Sequence, residues 1–373
     1  MTVSLTVGAM ACVAAAQDIA RYDPRMAVKN AVTDTNGVKW IDGRYLPLEG
    51  KMFADTDGFY DRLPKGVTTN VNAGVRAMKC HTTGMQFRFR TDSKFLKIRW
   101  TPMAPSLAMD HMPASGVSGI DVYRQDAVGK WWFVRTGRIY SPNGSCDLDW
   151  TPGTPCLINL PLYNGLKEFK LGIEPKASVT ALPPRKSGVS KPVVFYGTSI
   201  THGGCASRPG LSFVNIVGRD LDVPVVNLGF SGSGQMEHEM SEHLAAIDAS
   251  CYVLDCLWNM GGHWADKMYF RYEPFIRNLR RKRPGVPIVM AERCDVFCAP
   301  ATRQDRDVRK IYEKLVAEGW KDLVYLPKER LHANDLEGTV DGCHPNDIGM
   351  RNLANGFGDA VREALKLKPP KVR

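Results

Sequence analysis

The chain has 373 residues, with 49 Lys and Arg against 39 Asp and Glu, for a formal net charge of +10. Hydrophobic residues make up 44% and charged residues 24%, proportions that exclude wholesale disorder and fibrous repeats. At about 100–200 residues per domain, this length predicts two domains, and the modest basic excess reads as a solvated face.

Residues 1–16 carry no charge, and an apolar run from Val3 closes on Ala14-Ala15-Ala16 before Gln17. A short apolar core ending in small residues predicts a secretory signal peptide, and hence an exported protein. It is too short for a membrane span, which needs about 20 apolar residues, and no later stretch is expected to insert in a membrane.

From residue 25 to 185 the pattern is β. Met85–Trp100 alternates apolar and polar residues on both sides of a turn, and Gly119–Gly137 reads as a hairpin around Asp126–Gly129. Cys156–Glu174 reads as a second hairpin turning at Asn164-Gly165, a dipeptide suited to tight turns. Short strands without a convincing helix predict an all-β sandwich or jelly roll. Leu182–Gly188 reads as a linker.

From 190 to 370 the rhythm changes. Apolar strands are predicted at Pro192–Gly197, Pro224–Gly229, Cys251–Leu257 and Val286–Glu292. Helices are predicted over Leu211–Leu221, Gln235–Ala246, a long segment ending in Arg277–Arg283, Ala301–Glu318 and Ile348–Lys366. Buried strands alternating with amphipathic helices predict an α/β domain of three layers, αβα, around a parallel sheet. Such sheets bind ligands beyond the carboxyl ends of their strands.

Chemistry-bearing residues collect at those ends. The first strand runs into Gly197-Thr198-Ser199-Ile200-Thr201, and the second into the glycine-rich turn Asn227–Gly234. The third is followed by Trp258-Asn259, and Asp341-Gly342-Cys343-His344 precedes the last helix. A hydroxyl, a glycine N–H, a side-chain amide and an Asp-x-x-His are the parts that acyl transfer needs. The glycine-rich turn lacks the Gly-Lys-Ser/Thr ending of a phosphate loop.

Other patterns point away from metals and nucleic acid. Cys294 and Cys298 have no matching second pair, and His238 and His243 stand five residues apart rather than the four of H-E-x-x-H, so no metal or other cofactor is expected. The basic run Arg277–Arg283 is one helix end, favourably placed on the helix dipole. In an exported protein, Cys146 and Cys156, which bracket a short loop, are candidates to form a disulfide, as are Cys294 and Cys298.

The stretches GTSIT, NLGFSG, LWN and DGCHPND resemble the four sequence blocks of the SGNH (GDSL-type) hydrolases. Gly119-Ile120-Asp121-Val122-Tyr123 is similar to the GxDLY signature of a β-domain that precedes SGNH domains in certain bacterial proteins. The resemblance implies Ser199 as nucleophile, His344 as base and Asp341 as its partner. It also implies an oxyanion hole made by the N–H groups of Ser199 and Gly232 and the amide of Asn259. Thr198 stands where many members carry Asp. Arg208, in Cys205–Gly210, is implied to lie near the site, and His111 and Trp258 are further candidate substrate contacts. Trp258 and Trp264 flank the oxyanion segment, while Trp131 and Trp132 are expected to pack in a core. The implied activity is ester hydrolysis. The β-domain, the export signal and the lack of a long apolar lid favour a carbohydrate O-acetylesterase. The alternatives are a lipase or thioesterase acting on a small acyl ester, and a non-catalytic carbohydrate-binding protein.

Overall fold

The computed structural model describes residues 31–139, 142–261, 268–294, 300–331 and 337–368. The predicted signal peptide, Trp264 and Cys298 lie outside them.

The N-terminal part is a sandwich of two antiparallel sheets. One runs in the order Val32–Thr33, Lys39–Asp42, Leu166–Ile173, Phe95–Pro102, Gly144–Asp149, Arg138–Ile139. The other runs Val179–Ala181, Gln86–Thr91, Pro155–Asn159, Asp121–Gln125, Trp131–Thr136, with Leu48–Glu49 also paired to Gln86–Thr91. Period-two alternation makes this possible: along Phe95–Pro102, Leu96, Ile98 and Trp100 turn inward. They meet Phe87, Phe89, Phe169 and Leu171 in one core.

Asp121–Gln125 and Trp131–Thr136 pair as the expected hairpin. The second expected hairpin does not form. Pro155–Asn159 and Leu166–Ile173 belong to opposite sheets, so residues 160–165 form a crossing rather than a β-turn. The Asn164 side chain is buried there, its Oδ1 accepting from Ala104 N–H at 2.9 Å and its Nδ2 donating to Ser118 Oγ at 3.0 Å. Gly165 answers a close approach, because a Cβ at that position would lie 2.7 Å from the Cys80 carbonyl oxygen. Gln86–Thr91 and Phe95–Pro102 likewise sit in opposite sheets, and two short helices, Ala73–Met78 and Ala114–Val117, interrupt the β pattern.

The candidate pair Cys146 and Cys156 forms no disulfide. The two residues lie on strands of opposite sheets, and both are free, buried thiols in the sandwich core, where they pack as small hydrophobes. Trp132 also departs from expectation: it is 46% exposed beside Phe133 at 47%, on the edge strand Trp131–Thr136.

The C-terminal part is an αβα stack. Its five parallel strands lie in the order Val225–Gly229, Val193–Gly197, Cys251–Asp255, Ile288–Ala291, Leu323–Leu326. The first three are buried along their whole length, as expected of strands covered on both faces. Helices Phe213–Leu221 and Asp347–Ala364 close one face through Phe213 and Phe357, whose rings stack at 4.6 Å. His238–Ala246, Met268–Lys282 and Arg303–Ala317 close the other. The fifth strand, Leu323–Leu326, has no counterpart in the sequence reading, because its four residues are too few to show a period. Among the described residues no helix is long and apolar enough to cross a membrane.

Candidate active site

Strand Val193–Gly197 delivers Ser199 to the carboxyl edge of the sheet. Gly197 is required there, since a Cβ would strike the Thr201 side chain and come within 2.6 Å of the Asp255 carbonyl oxygen. Thr198 caps the short helix Ser199–His202 by accepting from Ile200 N–H, so the departure from Asp leaves a working cap. Ser199 is only 8% exposed.

The sandwich braces this turn. The Tyr163 hydroxyl donates to the Ser199 carbonyl at 3.0 Å, and its ring stacks on His202 at 4.1 Å. His202 Nε2 lies 3.2 Å from His81 Nδ1, and Thr83 donates to the His202 carbonyl at 2.7 Å. Burial keeps both imidazoles neutral, taking His81 down to about 3 and His202 well below its ordinary value. Sequence reasoning missed Tyr163, His81, Thr83 and His202. The three from the sandwich lie in segments read only for strand pattern, and their role depends on how the two parts dock.

The loop before the last helix supplies the remaining partners. Asn346 caps that helix, its Oδ1 accepting from Ile348 and Gly349 N–H. Asp341 Oδ1 accepts from the backbone N–H groups of Cys343 and His344 at 2.9 and 2.7 Å, and Oδ2 lies 2.6 Å from His344 Nδ1. His344 Nε2 is in turn 2.9 Å from Ser199 Oγ. Partial burial disfavours charge on Asp341, but the bonds from the His344 ring and the two backbone N–H groups outweigh it and hold the carboxyl at about 2. It is therefore ionised at any pH near neutrality.

Gly232 sits on the exposed rim of the glycine-rich turn at φ +63°, a left-handed conformation that glycine adopts without strain. Neither its N–H nor that of Ser199 donates a backbone hydrogen bond among the described residues. Asn259 lies in the single turn Leu257–Met260. Its amide fits best with the carbonyl oxygen accepting from Ser233 and Gly234 N–H at 3.0 and 3.1 Å, an orientation that turns the NH2 group away from those donors.

The candidate substrate contacts divide. The His111 ring lies 5.6 Å from that of His344, its Nδ1 bonded to Asp110 at 2.7 Å. Trp258 is half-buried, donating to the Cys294 carbonyl at 2.9 Å beneath the Arg293 guanidinium. Arg208 is engaged at the boundary between the two parts. It pairs with the fully buried Asp121 at 2.6 Å, bonds the Tyr123 hydroxyl and lies over Phe133. Asp121 also accepts from Gly210 N–H at 2.9 Å and Asn159 Nδ2 at 2.8 Å, so the Asp and Tyr of the GxDLY-like strand form a joint between the two parts. A buried charge needs such partners, and this pair satisfies that need across the boundary.

Beneath the site, the Asp255 carboxyl is buried with Oδ2 accepting from Thr201 Oγ1 at 2.7 Å; among the described residues no cation pairs with it and Oδ1 has no partner. Desolvation raises its pKa to about 7 despite the Thr201 bond. The folded value exceeds the unfolded one of 3.8, so the unfolded chain releases this proton first. Stability is lost between about pH 4 and 7, at a cost of up to about 4 kcal/mol that is constant above that window. Asp255→Asn cannot ionise. The stability difference between variant and wild type should therefore swing towards the variant by up to about 4 kcal/mol from pH 4 to pH 8. Denaturant melts at the two pH values check this, and an unchanged difference would refute it.

A hydrogen-bonded Ser–His–Asp series at the carboxyl edge of an αβα stack is the arrangement acyl hydrolysis uses. Residues 190–362 match the GDSL-like lipase/acylhydrolase family, and residues 38–179 match the GxDLY family, the N-terminus of SGNH hydrolase-type esterases. The chain thus carries a GDSL-like lipase/acylhydrolase domain behind a GxDLY N-terminal domain. No curated protein matches it. A GDSL-like lipase from Bacteroides ovatus is similar at 29% identity and TM-score 0.78, over 89% of this chain and 99% of that one. A salicylyl-acyltransferase from a tetracycline biosynthetic pathway shares the fold at 19% identity and TM-score 0.71, over 89% and 98%. A family two carbohydrate esterase from Clostridium thermocellum, in complex with cellohexaose, shares it at 12% identity and TM-score 0.57, over 77% and 94%.

Proposed function

We propose that this SGNH-type esterase is exported and removes acetyl groups from a poly- or oligosaccharide, with Ser199 as nucleophile. The observation that carries the catalytic reading is the continuous series from Asp341 through His344 to Ser199 Oγ, at 2.6 and 2.9 Å. His344 Nε2 takes the hydroxyl proton as Oγ bonds to the acetyl carbon. The N–H groups of Ser199 and Gly232 and the Asn259 amide receive the negative oxygen. The tetrahedral species collapses, the sugar oxygen leaves with the proton from His344, and an acetyl-serine remains. Water, deprotonated by the same imidazole, then releases acetate. Asn259→Ala should lower turnover about 100–1000-fold with little change in KM, because the amide acts on charge that exists only in the transition state. Steady-state kinetics on p-nitrophenyl acetate measure this.

The substrate assignment rests on the sandwich, the charge-free leader and the fold shared with a carbohydrate esterase. Acetate release from a panel of acetylated oligosaccharides, with Ser199→Ala as control, tests it. A flat response across the panel removes the carbohydrate assignment, and preference for longer acyl chains in a p-nitrophenyl ester series replaces it with a lipase or thioesterase.

A further inference from the structure

We propose that His111, Cys205 and His344 form a binding site for a soft divalent cation, Zn2+ foremost, and that its occupation switches the hydrolase off. One donor atom from each residue lies within 4.8 Å of the other two. The three residues come from three segments: the loop before helix Ala114–Val117, the turn after helix Ser199–His202, and the loop before the last helix. Two imidazoles and a thiolate are a donor set that zinc prefers over the hard cations Mg2+ and Ca2+.

The two histidines are set for ligation. Each histidine has Nδ1 engaged by a carboxylate, His344 by Asp341 at 2.6 Å and His111 by Asp110 at 2.7 Å. Nε2 is thus the nitrogen left to bind on both rings. Carboxylates behind the ring are the partners that orient metal-bound imidazoles. Cys205 N–H donates to the Pro345 carbonyl at 2.9 Å, tying the thiol-bearing turn to the residue after His344. Tetrahedral zinc with bonds of 2.0–2.3 Å sets donors about 3.5 Å apart, so the three must draw together by roughly 1 Å. The exposed His111 is the ligand with room to move.

Binding is a proton-for-metal exchange without redox change. The Cys205 S–H bond breaks, its proton passes to solvent, and sulfur bonds to Zn2+, while both imidazoles bind as neutral donors. Zn2+ on His344 Nε2 takes the lone pair that faces Ser199 Oγ–H, so the base is withdrawn. This inhibition rests on the reading of His344 as the base; the binding itself does not.

The test titrates the full-length protein, stripped with EDTA and then freed of it, with ZnCl2. Calorimetry measures binding and p-nitrophenyl acetate hydrolysis measures activity. One Zn2+ per chain is expected, with turnover falling at least tenfold at saturation and returning on addition of EDTA. Cys205→Ser should keep its metal-free turnover yet need at least ten times more Zn2+ for half inhibition. Co2+ in place of Zn2+ should give a thiolate-to-cobalt absorption band in wild type and none in Cys205→Ser. Equal Zn2+ affinity in the two proteins, or saturation without loss of turnover, would overturn the proposal. Should the protein prove inactive on esters, the calorimetric and Co2+ arms still decide the site, and that failure belongs to the catalytic reading alone.

Discussion

Ser199→Ala is expected to lower turnover on p-nitrophenyl acetate by about four to six orders of magnitude, with the fold intact. The substitution removes one oxygen from a side chain that is 8% exposed, and it leaves the Tyr163 bond to the backbone carbonyl in place. The thermal melt should scarcely move. Without Oγ no acyl-enzyme forms, and what survives is substrate binding next to the oxyanion donors and a base with nothing to deprotonate. Activity within tenfold of wild type in the purified variant would end the nucleophile assignment.

Asp341→Asn is expected to cost about 10^4-fold in kcat with KM nearly unchanged. The carboxylate has two jobs that this substitution separates. Its Oδ1 organises the loop through Cys343 and His344 N–H, and an amide oxygen can continue to do so. Its Oδ2 faces His344 Nδ1, where an amide presents N–H donors instead of an acceptor. The ring then keeps its proton on Nε2 and cannot take one from Ser199. Asp341→Ala, which forfeits both jobs, should also loosen the loop and lower the melting temperature, whereas Asp341→Asn should not. A loss below tenfold in Asp341→Asn would assign the carboxylate to architecture alone.

The sequence made the C-terminal half legible because buried parallel strands are unbroken apolar runs. Val193–Gly197, Val225–Gly229 and Cys251–Asp255 fall within the segments read as strands, and the site residues follow their ends. Ser199, His344 and Asp341 were legible as candidates because the short blocks that hold them, ordinary turns when taken singly, together resemble those of the SGNH hydrolases. The sandwich was legible as β but not in its connections. Alternation shows which face a residue takes, not which sheet its strand joins, so the passage from Pro155–Asn159 to Leu166–Ile173 read as a hairpin. The Arg208 pairing was not legible for a related reason: its partner, Asp121, is 87 positions away in the other half.

That pairing bears on how the two halves have been inherited. Asp121 in one and Arg208 with the Gly210 backbone in the other form a lock with its parts divided between them. A chimera joining this hydrolase half to a sandwich without the Asp would strand a guanidinium, and grafting this sandwich to a hydrolase half without the Arg would strand a carboxylate. Recombination at the linker is therefore penalised unless both halves of the lock travel together.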